Sequence, residues 1–189
     1  MHKKLILASK SPRRIELIKY LGFEYEIVAS TVDEIFQDEI SPEENTKFIA
    51  YKKAKAVIDT RGIGSEEIII GVDTIVVHRG NIFTKPKSRI QAYEMLKSFS
   101  GNSHDVISGV CILNSDFSEL FYVTSKVYFS ELNENEIENY INSPEPYDKA
   151  GGYAIQGQAS KFISSINGCF YNVMGFPLNA IYTRLKNLF

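Results

Sequence analysis

Asp73 interrupts the most apolar stretch of the chain, Ile68-Ile69-Ile70-Gly71-Val72-Asp73-Thr74-Ile75-Val76-Val77. A bare carboxylate in a buried strand is costly. It needs a cation, a metal or hydrogen-bond donors, or it takes up a proton. A structural salt bridge would meet that need, and so would a functional site; aspartate in a central strand is a poor choice for stability alone. Arg13 and Arg14 pose a second problem, because they follow Ser11-Pro12 and so fall in the first turn of a helix. That end of a helix carries partial positive charge, which disfavours each added cation by roughly 0.3–1 kcal/mol. A bound anion, phosphate above all, would account for both arginines and the free amides. A solvated pair on a surface helix is the plain alternative. Arg14 shares a face with Leu17, Ile18 and Leu21 and leans inward.

Other candidates are weaker singly. Lys53 falls among Ile49, Ala50, Ala56 and Val57 on the apolar face of a long helix, where a lysine either snorkels to water or reaches an anion. Glu34, in the polar loop Ser30-Thr31-Val32-Asp33-Glu34, is a solvated carboxylate or a metal ligand. Lys85 follows a hairpin that could bring it near Asp73. Gln156, in the Gly-flanked segment Tyr153–Gly157, can both donate to and accept from a small ligand. His104 has no second histidine or paired cysteine near it in sequence and reads as structural.

The elements that must position these groups follow from spacing. Leu5–Ala8 predicts a buried strand, and Pro12 to Leu21, stopped by Gly22, predicts a helix with Ser11 as N-cap. Tyr25–Ala29 predicts a second strand. Ser41-Pro42-Glu43-Glu44 opens a long helix through a capping box, ending before Gly62. The β-branched run at 68–77 predicts a central strand. Because neighbours on a strand face opposite ways, Asp73 and Thr74 share a side only if the strand bends or bulges, and Gly71 is the candidate for such a departure. Arg79-Gly80-Asn81 predicts a hairpin, Ser88–Ser100 a helix, and His104–Leu113 with Glu119–Phe129 two long paired strands. Leu132–Asn142 predicts a helix, Phe162–Ile166 a strand, and the residues after Pro177 a last amphipathic helix to Phe189. No segment reads as an interdomain linker, so residues 1–189 are expected to form one domain.

Composition narrows the class. The chain has 189 residues, 44% hydrophobic and 23% charged, with net charge −2, which gives no reason to expect nucleic acid as a partner. Cys111 and Cys169 lie far apart with no metal-ligand spacing, as expected of reduced thiols in the cytoplasm. The apolar run after His2-Lys3-Lys4 is too short for a signal-peptide core, and Asp73 breaks the best other run, so no membrane association is expected.

Taken in order, the following segments span nearly the whole chain: Leu7-Ala8-Ser9 with Ser11-Pro12-Arg13-Arg14; Val32-Asp33-Glu34; Lys53-Ala54; Asp73-Thr74; Lys85-Pro86; Ser100-Gly101 with His104; Asp148-Lys149-Ala150-Gly151 through Ile155-Gln156-Gly157; and Gly175-Phe176-Pro177-Leu178. In that combination the sequence resembles the Maf family of nucleoside triphosphate pyrophosphatases. The resemblance implies an α/β fold related to the inosine triphosphate pyrophosphatases: a mixed central β-sheet flanked by helices, with one active-site cleft between two lobes. It implies hydrolysis between the α- and β-phosphates with a divalent cation, Mg²⁺ or Mn²⁺. Ser9, Arg13, Arg14, Lys53, Thr74, Lys85 and Gln156 become substrate ligands, Glu34 and Asp73 the metal ligands, and Asp73 the general base. Metal coordination lowers a carboxylate's pKa, so Asp73 either removes the proton or only orients the attacking water. A homodimer is implied as well, with Phe121 and Tyr122 as exposed candidate contacts.

The resemblance extends to substrate choice. After Ser11-Pro12 the chain has Arg13 where the 7-methyl-GTP type of the family carries tyrosine. After Asp73 it has Thr74 where that type carries glutamine, and the late motif offers Gln156 in place of a glutamate. All three agree with the dTTP/UTP type, whose activity extends to clearing modified pyrimidine nucleotides and is linked to cell division arrest. The alternatives are a pyrophosphatase for 7-methyl-GTP or non-standard purines, and a non-catalytic nucleotide-binding regulator of septum formation.

Overall fold

The computed structural model describes residues 3–186 and 188. A seven-stranded mixed sheet has the order β2-β1-β3-β5-β6-β7, with β4 beside β3. Its strands are β1 (Lys4–Leu7), β2 (Tyr25–Ile27), β3 (Glu67–His78), β4 (Asn81–Phe83), β5 (Ser103–Leu113), β6 (Ser118–Phe129) and β7 (Ile163–Asn167). The helices are α1 (Pro12–Ile18), α2 (Pro42–Arg61), α3 (Arg89–Phe99), α4 (Glu134–Ile141), α5 (Phe170–Val173) and α6 (Leu178–Leu185). β1 runs parallel to β2 and β3, whereas β4 pairs antiparallel with β3 and β7 antiparallel with β6. No helix among the described residues is long and apolar enough to cross a membrane.

The chain divides into two compact units. The first comprises Met1–Asp73, Ser108–Val123 and Gly175–Phe189. Its core joins Ile6, Ala8 and Ile69 of the sheet to Ala50, Ala54 and Val57 of α2, with Cys111 and Leu113. Two glycines set how closely α2 packs. A Cβ on Gly71 would lie 2.1 Å from the Ala50 carbonyl oxygen, and one on Gly109 would lie 2.3 Å from the Thr46 carbonyl carbon. Gly71, the candidate for a departure in the strand, marks a close helix–strand approach, and the residues before it, Glu67 to Ile70, pair in register with β1.

The second unit comprises Thr74–Ile107 and Thr124–Met174. Its core is aromatic: the ring of Phe99 lies 4.2 Å from His104, 5.8 Å from Phe129 and 6.3 Å from Tyr153, centroid to centroid. The β3–β4 hairpin turns through Arg79 and Gly80, with φ of 49° and 78°. Two successive left-handed residues are the signature of the tight turn that matches strand twist.

Helix ends mostly follow the sequence. The Ser41 side chain accepts from the Glu44 amide at 3.2 Å and the Ser88 side chain from the Gln91 amide at 3.2 Å. A full capping box forms at α4 between Asn133 and Glu136. At α2 the reciprocal half is absent, because the Glu44 carboxylate pairs with Lys47 at 2.6 Å. Ser11 occupies the N-cap position of α1 without a side-chain cap, and its amide bonds the Ser9 hydroxyl at 3.2 Å instead. The expected first helix closes as a tighter turn, Lys19–Leu21, before Gly22. α6 ends at Leu185, and the expected continuation to Phe189 reaches outside the described residues. Phe121 is buried, with the Arg184 guanidinium 3.7 Å over its ring, so of the two candidate contact aromatics only Tyr122 is exposed.

Candidate active site

The first unit gathers Ser9, Arg13, Arg14, Glu34, Lys53 and Asp73. Ser9 follows β1 and is buried. Arg14, in α1, donates from Nε to the Gly175 carbonyl at 2.8 Å and from Nη1 to the Val72 carbonyl at 2.9 Å. It also approaches the Ser9 hydroxyl at 3.5 Å. The inward lean expected of Arg14 is thus real, and its guanidinium ties α1 to the residue preceding Asp73. Burial pushes its pKa down, and the Asp73 and Glu34 carboxylates oppose that shift. Arg13 is half-buried beside it.

Lys53 and Asp73 are both buried. The close packing of α2 at Gly71 brings Lys53 Nζ to 2.7 Å from Asp73 Oδ1 and 3.4 Å from the Val72 carbonyl. Glu34 Oε1 completes the group at 2.6 Å from the same ammonium. Lys53 therefore does not snorkel, and Asp73 has the cation that its burial demands. The other Asp73 oxygen, Oδ2, is buried with no hydrogen-bond partner among the described residues. An acceptor left open inside a protein costs about 1–3 kcal/mol, more when charged, and calls for a donor or cation from outside the chain.

Glu34 differs from Asp73 in that its side chain is 48% exposed, and a loop carries it. That loop is pinned to α2. Asn45, 1% exposed, accepts from the Gln37 amide and donates to the Gln37 carbonyl, both at 2.8 Å. Lys52 reaches the Asp33 carbonyl at 3.3 Å. Asn45 was not singled out in the sequence; an amide in the first turn of a helix, on the face that also carries Ile49 and Lys53, was the available signal.

Two carboxylates that share the Lys53 ammonium, one of them with an open buried oxygen, are oxygen donors of the kind that suit a divalent cation taking its remaining oxygens from phosphate and water. No cluster of three or more His, Cys, Asp or Glu side chains forms among the described residues, so a cage made wholly of protein is not built here.

The remaining candidates belong to the second unit. Thr74 is half-buried and engaged; Lys85 is exposed in the segment after β4; Gln156 is exposed in the turn after Tyr153–Ile155. His104 is structural, as read. It is 2% exposed, its Nε2 lies 2.7 Å from the Tyr153 hydroxyl, and burial lowers its pKa to about 3.

Fold and site together define an α/β protein with a buried Lys53–Asp73 pair, joined by Arg14 and Glu34, beside the first parallel strands of a mixed sheet. The chain belongs to the Maf-like protein family, whose sequence profile matches residues 4–188. It is 43% identical over 189 residues to the dTTP/UTP pyrophosphatase of Caldicellulosiruptor saccharolyticus, covering 98% of this chain and 95% of that one. It is 44% identical over 186 residues to the dTTP/UTP pyrophosphatase of Geobacillus sp. (strain WCH70), covering 98% of each. Among solved structures, the Staphylococcus aureus Ham1 protein superimposes with a TM-score of 0.57 at 15% identity, over 99% of this chain and 100% of that one, a likeness of fold.

Proposed function

We propose that this protein is a nucleoside triphosphate pyrophosphatase that hydrolyses dTTP and UTP to the monophosphate and pyrophosphate. The reading rests on the two relatives of that name and on one observation above all: a buried aspartate with one oxygen on Lys53 and the other open. In this reading Asp73 accepts a proton from water as the water oxygen bonds the α-phosphorus and the α–β bridging bond breaks. The electron pair of that bond leaves with pyrophosphate. Lys53, Arg14 and Lys85 neutralise the phosphate tail and the leaving group; Ser9 and the first-turn amides of α1 join them. Glu34 and Asp73 hold Mg²⁺ or Mn²⁺, which supplies charge neutralisation at the phosphates when bound. Thr74 and Gln156, with Arg13, set base choice. The protein acts in the cytoplasm as a homodimer, without nucleic acid or membrane as partner; net charge −2 agrees with the last two. A panel of dTTP, UTP, CTP, GTP and 7-methyl-GTP with Mg²⁺ or Mn²⁺, scored for pyrophosphate, tests the reading. Faster release from 7-methyl-GTP than from dTTP and UTP would overturn the substrate assignment.

A further inference from the structure

The segment that directly follows Gln156 is held by one clasp. Glu145 opens the short helical turn Glu145–Asp148, and its carboxylate is half-buried. Its Oε1 accepts from the Tyr140 hydroxyl at 2.9 Å and the Ala159 amide at 3.3 Å, and its Oε2 accepts from the Gln158 amide at 2.9 Å. The Tyr140 side chain is itself buried against the core. Directly before those two amides the Gly157 amide closes a tight turn on the Ala154 carbonyl at 3.1 Å. Gly157 itself leaves room for the carboxylate, since a Cβ there would lie 2.4 Å from Glu145 Oε1. Lys149 Nζ, at 3.0 Å from the Glu145 carbonyl, ties the clasp to the Asp148–Gly151 segment.

Only Gln156 and Gln158 are exposed along residues 154–159. A charged acceptor taking two consecutive amides at the start of a helical turn fixes the backbone, and fixing the backbone fixes where a neighbouring side-chain amide can point. We propose that Glu145, held by the Tyr140 hydroxyl and itself holding the amides of residues 158 and 159, is the positioning residue that gives Gln156 its discriminating geometry for a pyrimidine base. The inference deepens the dTTP/UTP reading and rests on it. Glu145 touches no reacting atom, so it acts on substrate affinity and base preference and leaves the chemical step alone.

The test uses the full chain with Glu145→Gln, Glu145→Ala and Tyr140→Phe. Steady-state kinetics are measured on dTTP, UTP and CTP, and hydrogen exchange at residues 154–159. The expected result is a KM for dTTP and UTP raised roughly tenfold in Glu145→Ala and less in Glu145→Gln, which keeps one acceptor oxygen. kcat stays within about twofold, and the preference for UTP over CTP narrows in step with faster exchange. Tyr140→Phe shifts the same quantities in the same direction and decides the matter if the Glu145 variants fail to fold. Faster exchange with unchanged base preference, or a fall in kcat at constant KM, would overturn the proposal. If the unmodified protein releases no pyrophosphate from dTTP or UTP, it is the functional reading that fails.

Discussion

Lys53 Nζ sits 2.7 Å from Asp73 Oδ1, joining the inward face of α2 to the middle of β3 in a pair whose members are 7% and 3% exposed. Removing one member of such a pair strands the other charge, which typically costs about 3–5 kcal/mol unless a proton compensates. Lys53→Met is therefore expected to lower stability by about 2–4 kcal/mol in urea denaturation. Combining it with Asp73→Asn should recover part of that loss. Additive losses in the double variant would show the two to be energetically independent.

Asp73→Asn keeps the side-chain shape and removes the charge. It is expected to cut pyrophosphate release by about 10²–10⁴-fold, the range for losing a positioned general base. Nucleotide binding, followed by calorimetry, should survive in part. Turnover close to that of the unmodified protein would assign the proton to another group.

Lys85 is exposed and lies outside both cores, so Lys85→Ala is expected to leave the thermal midpoint within about 2 °C. Its effect should appear as a several-fold loss in kcat/KM. A loss of stability with unchanged kinetics would give it a structural role instead.

His104 supplies a pH dependence with a definite sign. Its folded pKa is about 3, against an ordinary value of 6.5, because the neutral ring is buried among Phe99, Phe129 and Tyr153. Between those values the unfolded chain binds a proton that the folded chain does not, so this contribution destabilises the fold as pH falls through that window. It amounts to about 1.4 kcal/mol per pH unit, or about 2 kcal/mol lost between pH 6.5 and 5. Urea denaturation at a series of pH values measures the slope, and the His104 ring resonance should remain that of neutral imidazole down to pH 4.

Gly71→Ala and Gly109→Ala test how the site is positioned. Each places a methyl group within 2.3 Å of the α2 backbone, which no side-chain rotation relieves. Each is expected to destabilise by about 2 kcal/mol or more, and to slow turnover even in the folded fraction because Lys53 moves with α2. Soluble protein of normal stability and activity would count against so tight an approach.

Much of this site was legible in the sequence because it violates the usual rules. Aspartate in a β-branched strand, lysine on an apolar helix face and two arginines in a first helical turn each lack a partner locally, and the fold supplies partners to Asp73, Lys53 and Arg14. The elements were equally plain where hydrophobic period and cap agree, as at Ser41-Pro42 and in the central strand. What stayed hidden depends on packing across the chain. Gly71 does not show its role as the close contact for α2 until the helix is seen pressed on it, and Phe121 reads as surface until Arg184 covers it. The clasp of Glu145 on the amides of 158 and 159 joins positions whose side-chain types say nothing about one another.

The most direct test of the central claim is the identity of the products from dTTP and UTP with Mg²⁺ or Mn²⁺, resolved by ion-exchange chromatography over a time course. The account predicts the nucleoside monophosphate and pyrophosphate in equal amounts from the first time points, with release from either nucleotide faster than from 7-methyl-GTP. Nucleoside diphosphate with inorganic phosphate, or no turnover with either cation, would contradict it.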